Sequence, residues 1–291
     1  MNNKNDKLNI VFFGTPQLAV TVLDELYNNN IVPCLVVTTE DKPTGRKLVI
    51  TPPPVKVWAD QHGIAVMQPK TLKNTEIAEQ IRSFLINGAD LFVVVAYGKI
   101  IPQNILDIPT HGSLNLHFSL LPKLRGASPM MTSILTEDKT GVTIMLLDAL
   151  MDHGPVVKQE VVEVPEWPAY SDDLEKILSK KGGELLADTI PKWIMGQIQP
   201  VDQDHSQATV CKKITKEDGL INLDDNAELN LKKIRAFNIW PKAYTFFKHK
   251  DKEIRIAITR AHIENEELII EKIIPEGRKE MSWQDFLNGL H

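Results

Sequence analysis

Asn115 and His117 are the two residues of this chain whose types and spacing most readily do chemistry. They stand in the stretch SLNLHFSLLPKLRGASP, Ser113–Pro129, where Leu114, Leu116 and Phe118 alternate with Ser113, Asn115 and His117. Side chains of a strand alternate between its faces, so the amide and the imidazole share one face and the apolar neighbours take the other. An amide N–H can donate to an oxygen that is gaining negative charge, and an imidazole can move a proton near neutral pH. Pro122 stops the strand, and Lys123, Arg125 and Gly126 make a polar exit from it. The carboxyl end of a buried strand is where open α/β sheets carry their sites. Two satisfied polar residues at a strand end would give the same local pattern, so the pair alone leaves both readings open.

The elements that must position this pair are written as apolar runs and amphipathic periods. Leu8 to Phe13 reads as a strand, Gly14-Thr15-Pro16 as a turn, the following residues up to Asn28-Asn29-Asn30 as a helix, and Ile31 to Thr38 as a second strand. This βαβ opening predicts a doubly wound, mostly parallel sheet. The first turn holds only Gly14, whereas a dinucleotide fingerprint needs three glycines so that pyrophosphate can approach bare backbone. Asp90 to Tyr97 is a continuous apolar run, the pattern of a parallel strand buried on both faces. Gly141 to Leu147 and Val156 to Val164 read as strands, with a loop from Asp148 to Gly154 between them. A helical region follows from Asp172 to Gln197, where the Gly182-Gly183 pair and Pro191 are the expected kink sites. Residues 200–207 turn polar and irregular. Beyond them a helix near Ala227–Phe237 and three short strands predict a small β-barrel.

One connection is too long for a turn. Thr38 to Lys56 holds Lys42, Arg46, Lys47 and Lys56 together with Gly45 and four prolines. It reads equally as a solvated surface loop or as a phosphate-binding one.

Composition narrows the class. The chain has 291 residues, 43% hydrophobic and 24% charged, as a globular protein with a full core requires. A net charge of -5 provides no overall field for nucleic acid, so a polyanion must be met by a local basic patch. Cys34 and Cys211 are far apart and match no metal-ligand spacing, which fits reduced thiols in a reducing compartment. The start MNNKNDKLN has no apolar signal core, and Leu91–Tyr97, the longest apolar run, is too short to span a bilayer. A cytoplasmic protein is expected.

Taken together, several stretches carry a family likeness: IVFFGTPQLA, KPTGRK followed by TPPPVKVWA, LFVVVAYGKIIP, SLNLHFSLLPKLRGASP, GVTIMLLD, MDHG, KKITKEDGLI and IRAFNIWPKAYT. In this order and spacing, over nearly the whole chain, the sequence resembles the 10-formyltetrahydrofolate-dependent formyltransferases, and within them the methionyl-tRNA formyltransferases. The resemblance implies a Rossmann-like catalytic domain over residues 1–198, a linker over 199–208, and a C-terminal, OB-like β-barrel domain over 209–291 that binds tRNA. It implies Asn115, His117 and Asp152 as the catalytic set. Ser119, Leu120, Leu121 and Pro122 would contact the folate, and VVVAYG with the Asp148 loop would wall its pterin pocket. Lys42, Arg46 and Lys47 would lie on the loop that reaches the tRNA acceptor stem. The implied reaction is transfer of a formyl group from 10-formyltetrahydrofolate to the amino group of methionyl-initiator tRNA. No metal and no covalent intermediate enter it, and a monomer is expected.

Two features depart from the family pattern. His153-Gly154-Pro155 stands where many relatives have Thr-Gly-Asp, which puts a second titratable ring beside Asp152. The C-terminal domain is also short between Ile263 and EELIIEKII. Three rivals remain: a formyltransferase acting on a sugar-nucleotide or other small amine, a silent nucleotide-binding module, and a dehydrogenase. The single glycine weakens the last.

Overall fold

A computed structural model describes residues 8–45, 47–250 and 252–290 of the chain. Its central sheet has seven strands, in the spatial order Val156–Val162, Thr140–Leu146, Ser113–His117, Leu91–Val95, Ile10–Gly14, Leu35–Val37 and Ala65–Met67. The apolar runs dictate its centre. Every residue of Ile10–Gly14, Leu35–Val37 and Leu91–Val95 is buried, as strands covered on both faces must be. These strands pair parallel with one another and with Ala65–Met67 and Ser113–His117, and Thr140–Leu146 runs antiparallel to Ser113–His117.

The strand order reverses beside Ile10–Gly14. From there the chain builds outward through Leu35–Val37 and Ala65–Met67, then returns to the other flank with Leu91–Val95. That reversal opens a crevice at the carboxyl ends of Ile10–Gly14 and Leu91–Val95. There the hydroxyl of Thr15 donates to the carbonyl of Tyr97 at 2.9 Å. A Cβ on Gly14 would lie 2.5 Å from the Phe12 ring and 3.0 Å from Ala19. Its role is close packing of the strand against the Gln17–Asn28 helix.

The helix Ser171–Ile194 runs through both expected kink sites. A Cβ on Gly182 would meet Leu116 at 2.6 Å, and one on Gly183 would meet Glu25 at 2.7 Å. The glycines thin the helix so that it can lie against the strand carrying Asn115 and His117 at Gly182 and against the Gln17–Asn28 helix at Gly183.

The long Thr38–Lys56 connection contains a hairpin, Lys42–Thr44 against Val49–Thr51. Gly45 takes the positive φ of +67° at its turn. Lys42 and Lys47 are exposed, as are Leu48, Val49 and Ile50; Arg46 lies outside the described residues. Lys56 instead pairs with Asp41 at 3.4 Å, and Gln68 donates to the same carboxylate at 2.7 Å. The Gln68 bond, helped by Lys56, holds that carboxyl below its ordinary range.

By packing, the chain divides into two units. The first comprises residues 1–125, 141–162 and 176–209; the second comprises 126–140, 163–175 and 210–291. The second unit is built on an antiparallel sheet in the order Ala243–His249, Lys252–Glu264, Glu267–Pro275 and Met281–Ser282. Ile234, Ala243, Ile256, Ile258, Ile273 and Phe286 form its core. The short stretch after Ile263 is a tight hairpin, with Asn265 and Glu266 both at positive φ. Residues 163–175 join this unit through Arg235, which donates to the Pro168 carbonyl and pairs with Glu166 at 2.6 Å. Tyr170 lies beside the same guanidinium and donates its hydroxyl to Ala261.

Candidate active site

The Ser113–His117 strand delivers Asn115 and His117 to one face at its carboxyl end, as its alternation predicts. Asn115 sits between Val94 and Met145 on the flanking strands, and His117 lies opposite Thr143. His117 is 5% exposed. Its Nε2 lies 3.0 Å from the carbonyl of Leu124. A carbonyl only accepts, so Nε2 carries the hydrogen of the neutral ring and the lone pair is on Nδ1. Nδ1 faces Asp152, with 3.6 Å to Oδ1.

The electrostatics of the pair follow from this burial. Removal from water pushes the His117 imidazole below the ordinary histidine value, against the raising effects of the Asp152 charge and the Leu124 carbonyl. The ring is therefore a neutral base near pH 7. A proton arriving on Nδ1 meets a carboxylate.

The loop after Thr140–Leu146 sorts its two carboxylates. Asp148 accepts from the Leu150 N–H at 2.9 Å and from His153 Nδ1 at 2.8 Å. Asp152 is the one that faces His117. The unusual His153 thus turns to Asp148, and its ring stacks on His205 at 4.1 Å. Asp152 has a positive φ of +51°, an uncommon conformation for a residue with a side chain.

Gln203 holds this loop. Its Nε2 donates to the carbonyls of Asp152 at 3.0 Å and Gly154 at 2.7 Å, and its Oε1 accepts from Arg125. Sequence reasoning missed it. Gln203 lies in a polar, irregular stretch, and no spacing links it to a loop about fifty residues earlier.

The Ser119–Pro122 turn is fixed from below. Ser119 donates to the Lys123 carbonyl at 2.7 Å. Thr143 donates to the Ser119 carbonyl and accepts from Leu121 N–H, and Gln159 donates to the Leu121 carbonyl. Ser119 and Leu121 are buried, Leu120 and Pro122 half-buried, and the Leu121–Pro122 peptide is cis. On the neighbouring strand end, Tyr97 packs edge-on against Phe13, and burial pushes its phenol up to about 12.

A family described as formyl transferase matches residues 8–190, and one described as formyl transferase, C-terminal domain, matches residues 213–268. A curated methionyl-tRNA formyltransferase of Chloroflexus aggregans is 43% identical over 242 residues, 83% of this chain and 77% of its own. That of Bacillus subtilis is 37% identical over 304 residues, 97% of this chain and 95% of its own. The chain belongs to the methionyl-tRNA formyltransferase family. The Bacillus alignment is longer than this whole chain, so that relative carries residues this formyltransferase lacks. Among solved structures, HypX from Aquifex aeolicus in complex with tetrahydrofolic acid has the same fold, with a TM-score of 0.66 at 14% identity over 98% of this chain and 48% of its own.

Proposed function

We propose that the chain transfers the formyl group of 10-formyltetrahydrofolate to the amino group of methionyl-initiator tRNA, supplying formylated initiator for translation. The observation that carries this reading is the buried His117 ring. Its Nδ1 lone pair faces Asp152 on one side of a strand that also presents Asn115.

Formyl transfer is acyl transfer between nitrogens. Asn115 donates its amide N–H to the formyl oxygen as the amine attacks and negative charge grows there. His117 takes the proton lost by the attacking amine on Nδ1 and returns it to the folate nitrogen as that C–N bond breaks. Asp152 stabilises the imidazolium in the interval, while the Leu124 carbonyl on Nε2 keeps the ring in place.

The folate is met by the Ser119–Pro122 turn, by VVVAYG (residues 93–98) and by the Asp148 loop. The acceptor stem is met by Lys42, Arg46 and Lys47 and by the domain over residues 209–291. Residues 1–198 act as the catalytic domain, with 199–208 joining the two. The enzyme works as a monomer in the cytoplasm, and among the described residues no helix is long and apolar enough to cross a membrane.

The test is formyl transfer from 10-formyltetrahydrofolate to initiator and elongator Met-tRNA, with Asn115→Ala beside the unaltered enzyme. Transfer to the initiator species that is lost in the variant supports the reading. No transfer to tRNA, with transfer to a sugar-nucleotide amine instead, overturns it.

A further inference from the structure

We propose that Gln203–Thr209 is a positioning strap for the proton-transfer pair: Gln203 fixes the backbone of Asp152, and Thr209 fixes the Leu124 carbonyl that orients His117. This rests on the reading above, in which that pair moves the proton.

The amide of Gln203 is only 6% exposed and every position on it is used. Both Nε2 hydrogens go to backbone carbonyls of the Asp152 loop, at 3.0 and 2.7 Å. Oε1 takes two bonds from Arg125, at 3.1 Å from Nε and 2.6 Å from Nη2. A glutamine has two donors and two lone pairs, so no other side chain of this size can replace it. What it holds needs holding. Asp152 lies in the left-handed region, and a Cβ on Gly154 would fall 2.0 Å from the Leu146 carbonyl. The loop must therefore turn within a narrow space, with Asp152 in the left-handed region that few side-chain-bearing residues other than asparagine and aspartate adopt.

The same stretch reaches the other partner. Thr209 Oγ1 accepts from the Leu124 N–H at 2.9 Å, and the Thr209 carbonyl accepts from the Arg125 N–H at 2.9 Å. Leu124 has a positive φ of +61°, and its carbonyl is the one that faces His117 Nε2. Arg125, the next residue, donates both to Gln203 and to His205 Nδ1, at 2.8 Å to the latter. His205 stacks on His153, which donates to Asp148. Seven residues thus tie down the carbonyl that orients the base and the backbone that carries its carboxylate. Among the described residues, Asp152 is the charged side chain that pairs with the His117 ring; Arg125, Asp148, His153 and His205 belong to the strap and the loop it holds.

The experiment compares Gln203→Leu, Gln203→Glu, Thr209→Val and Thr209→Ser with the unaltered enzyme. It reads kcat, KM for each substrate, and His117 titration by NMR with labelled histidine. Gln203→Glu keeps an acceptor for Arg125 but turns a carboxylate onto two carbonyls, and so isolates the donor role. Expected for both Gln203 variants is a kcat lower by about 10- to 100-fold with KM within about twofold. The His117 titration should move to lower pH as Asp152 recedes. Thr209→Val should act in the same direction and Thr209→Ser should restore the unaltered behaviour.

If Gln203→Leu fails to fold, Gln203→Glu and the Thr209 pair decide. A folded Gln203 variant with unaltered kcat and unaltered His117 titration overturns the strap, as does equal loss in Thr209→Val and Thr209→Ser. The NMR titration needs no turnover. A shift in an enzyme that does not formylate tRNA would therefore uphold the strap while the functional reading fell.

Discussion

His117 in the first unit and Arg235 in the second are both buried nitrogen bases beside a carboxylate, and they are built to opposite ends. Arg235 is paired at contact distance: 2.6 Å from Glu166, donating to the Pro168 carbonyl, with Tyr170 beside its guanidinium. His117 is held by one ring nitrogen while the other faces Asp152 across 3.6 Å. Burial keeps its ring uncharged until a proton comes. A structural charge is paired at contact distance. The group proposed to do chemistry is oriented firmly at one end and left room at the other.

The largest effect that would break this contrast is at His117. His117→Ala should lower kcat by about 10³-fold or more, within the usual range for loss of a general base, while tRNA binding by filter retention stays nearly unchanged. A comparable loss of binding would make His117 a structural residue like Arg235.

Next is Arg235→Ala. Removing a buried arginine strips the Pro168 carbonyl of its donor and Glu166 of its ion-pair partner, at a cost of about 2–3 kcal/mol in urea unfolding. The His117 titration should not move. An equal stability loss in His117→Ala would erase the distinction between the two sites.

The pH dependence sharpens it further. In the folded protein His117 titrates below its unfolded value of about 6.5. The unfolded chain then binds more protons between the two values, so stability is fullest above pH 6.5 and is lost as pH falls through the folded value. His117→Gln should flatten that acid limb in thermal melts taken between pH 5 and 7. An unchanged limb would mean that burial does not lower this ring.

The smallest effect is at the exposed hairpin. Replacing Lys42 and Lys47 together by Ala should reduce the salt slope of tRNA binding by roughly one to two, because each phosphate contact releases counterions. An unchanged slope would remove the hairpin from the interface.

How much of this was legible in the chain depends on the range of the interaction. The buried strands could be read because parallel pairing leaves a contiguous apolar run, and Asn115 and His117 because a strand alternates by two. The fold class followed from the order of those runs. Asp152 came from family resemblance, since a loop carboxylate has no local pattern; only its distance to His117 separates it from Asp148. The packing role of the Gly182-Gly183 pair was not legible, because nothing local shows that Leu116 and Glu25 press on it. The pairing of Lys42–Thr44 with Val49–Thr51 was hidden by the prolines and cations around it. Gln203 was illegible for the same reason as the glycines. Its bonds go to backbone carbonyls about fifty residues away, and a carbonyl leaves no mark on sequence.

The most direct test of the account is the single-turnover rate of formyl transfer from saturating 10-formyltetrahydrofolate to initiator Met-tRNA by Asp152→Asn. If the carboxylate facing Nδ1 stabilises the transferred proton, the rate falls by about 100-fold with both substrates still bound. A rate equal to that of the unaltered enzyme would contradict the assignment of the His117–Asp152 pair as the proton-transfer machinery.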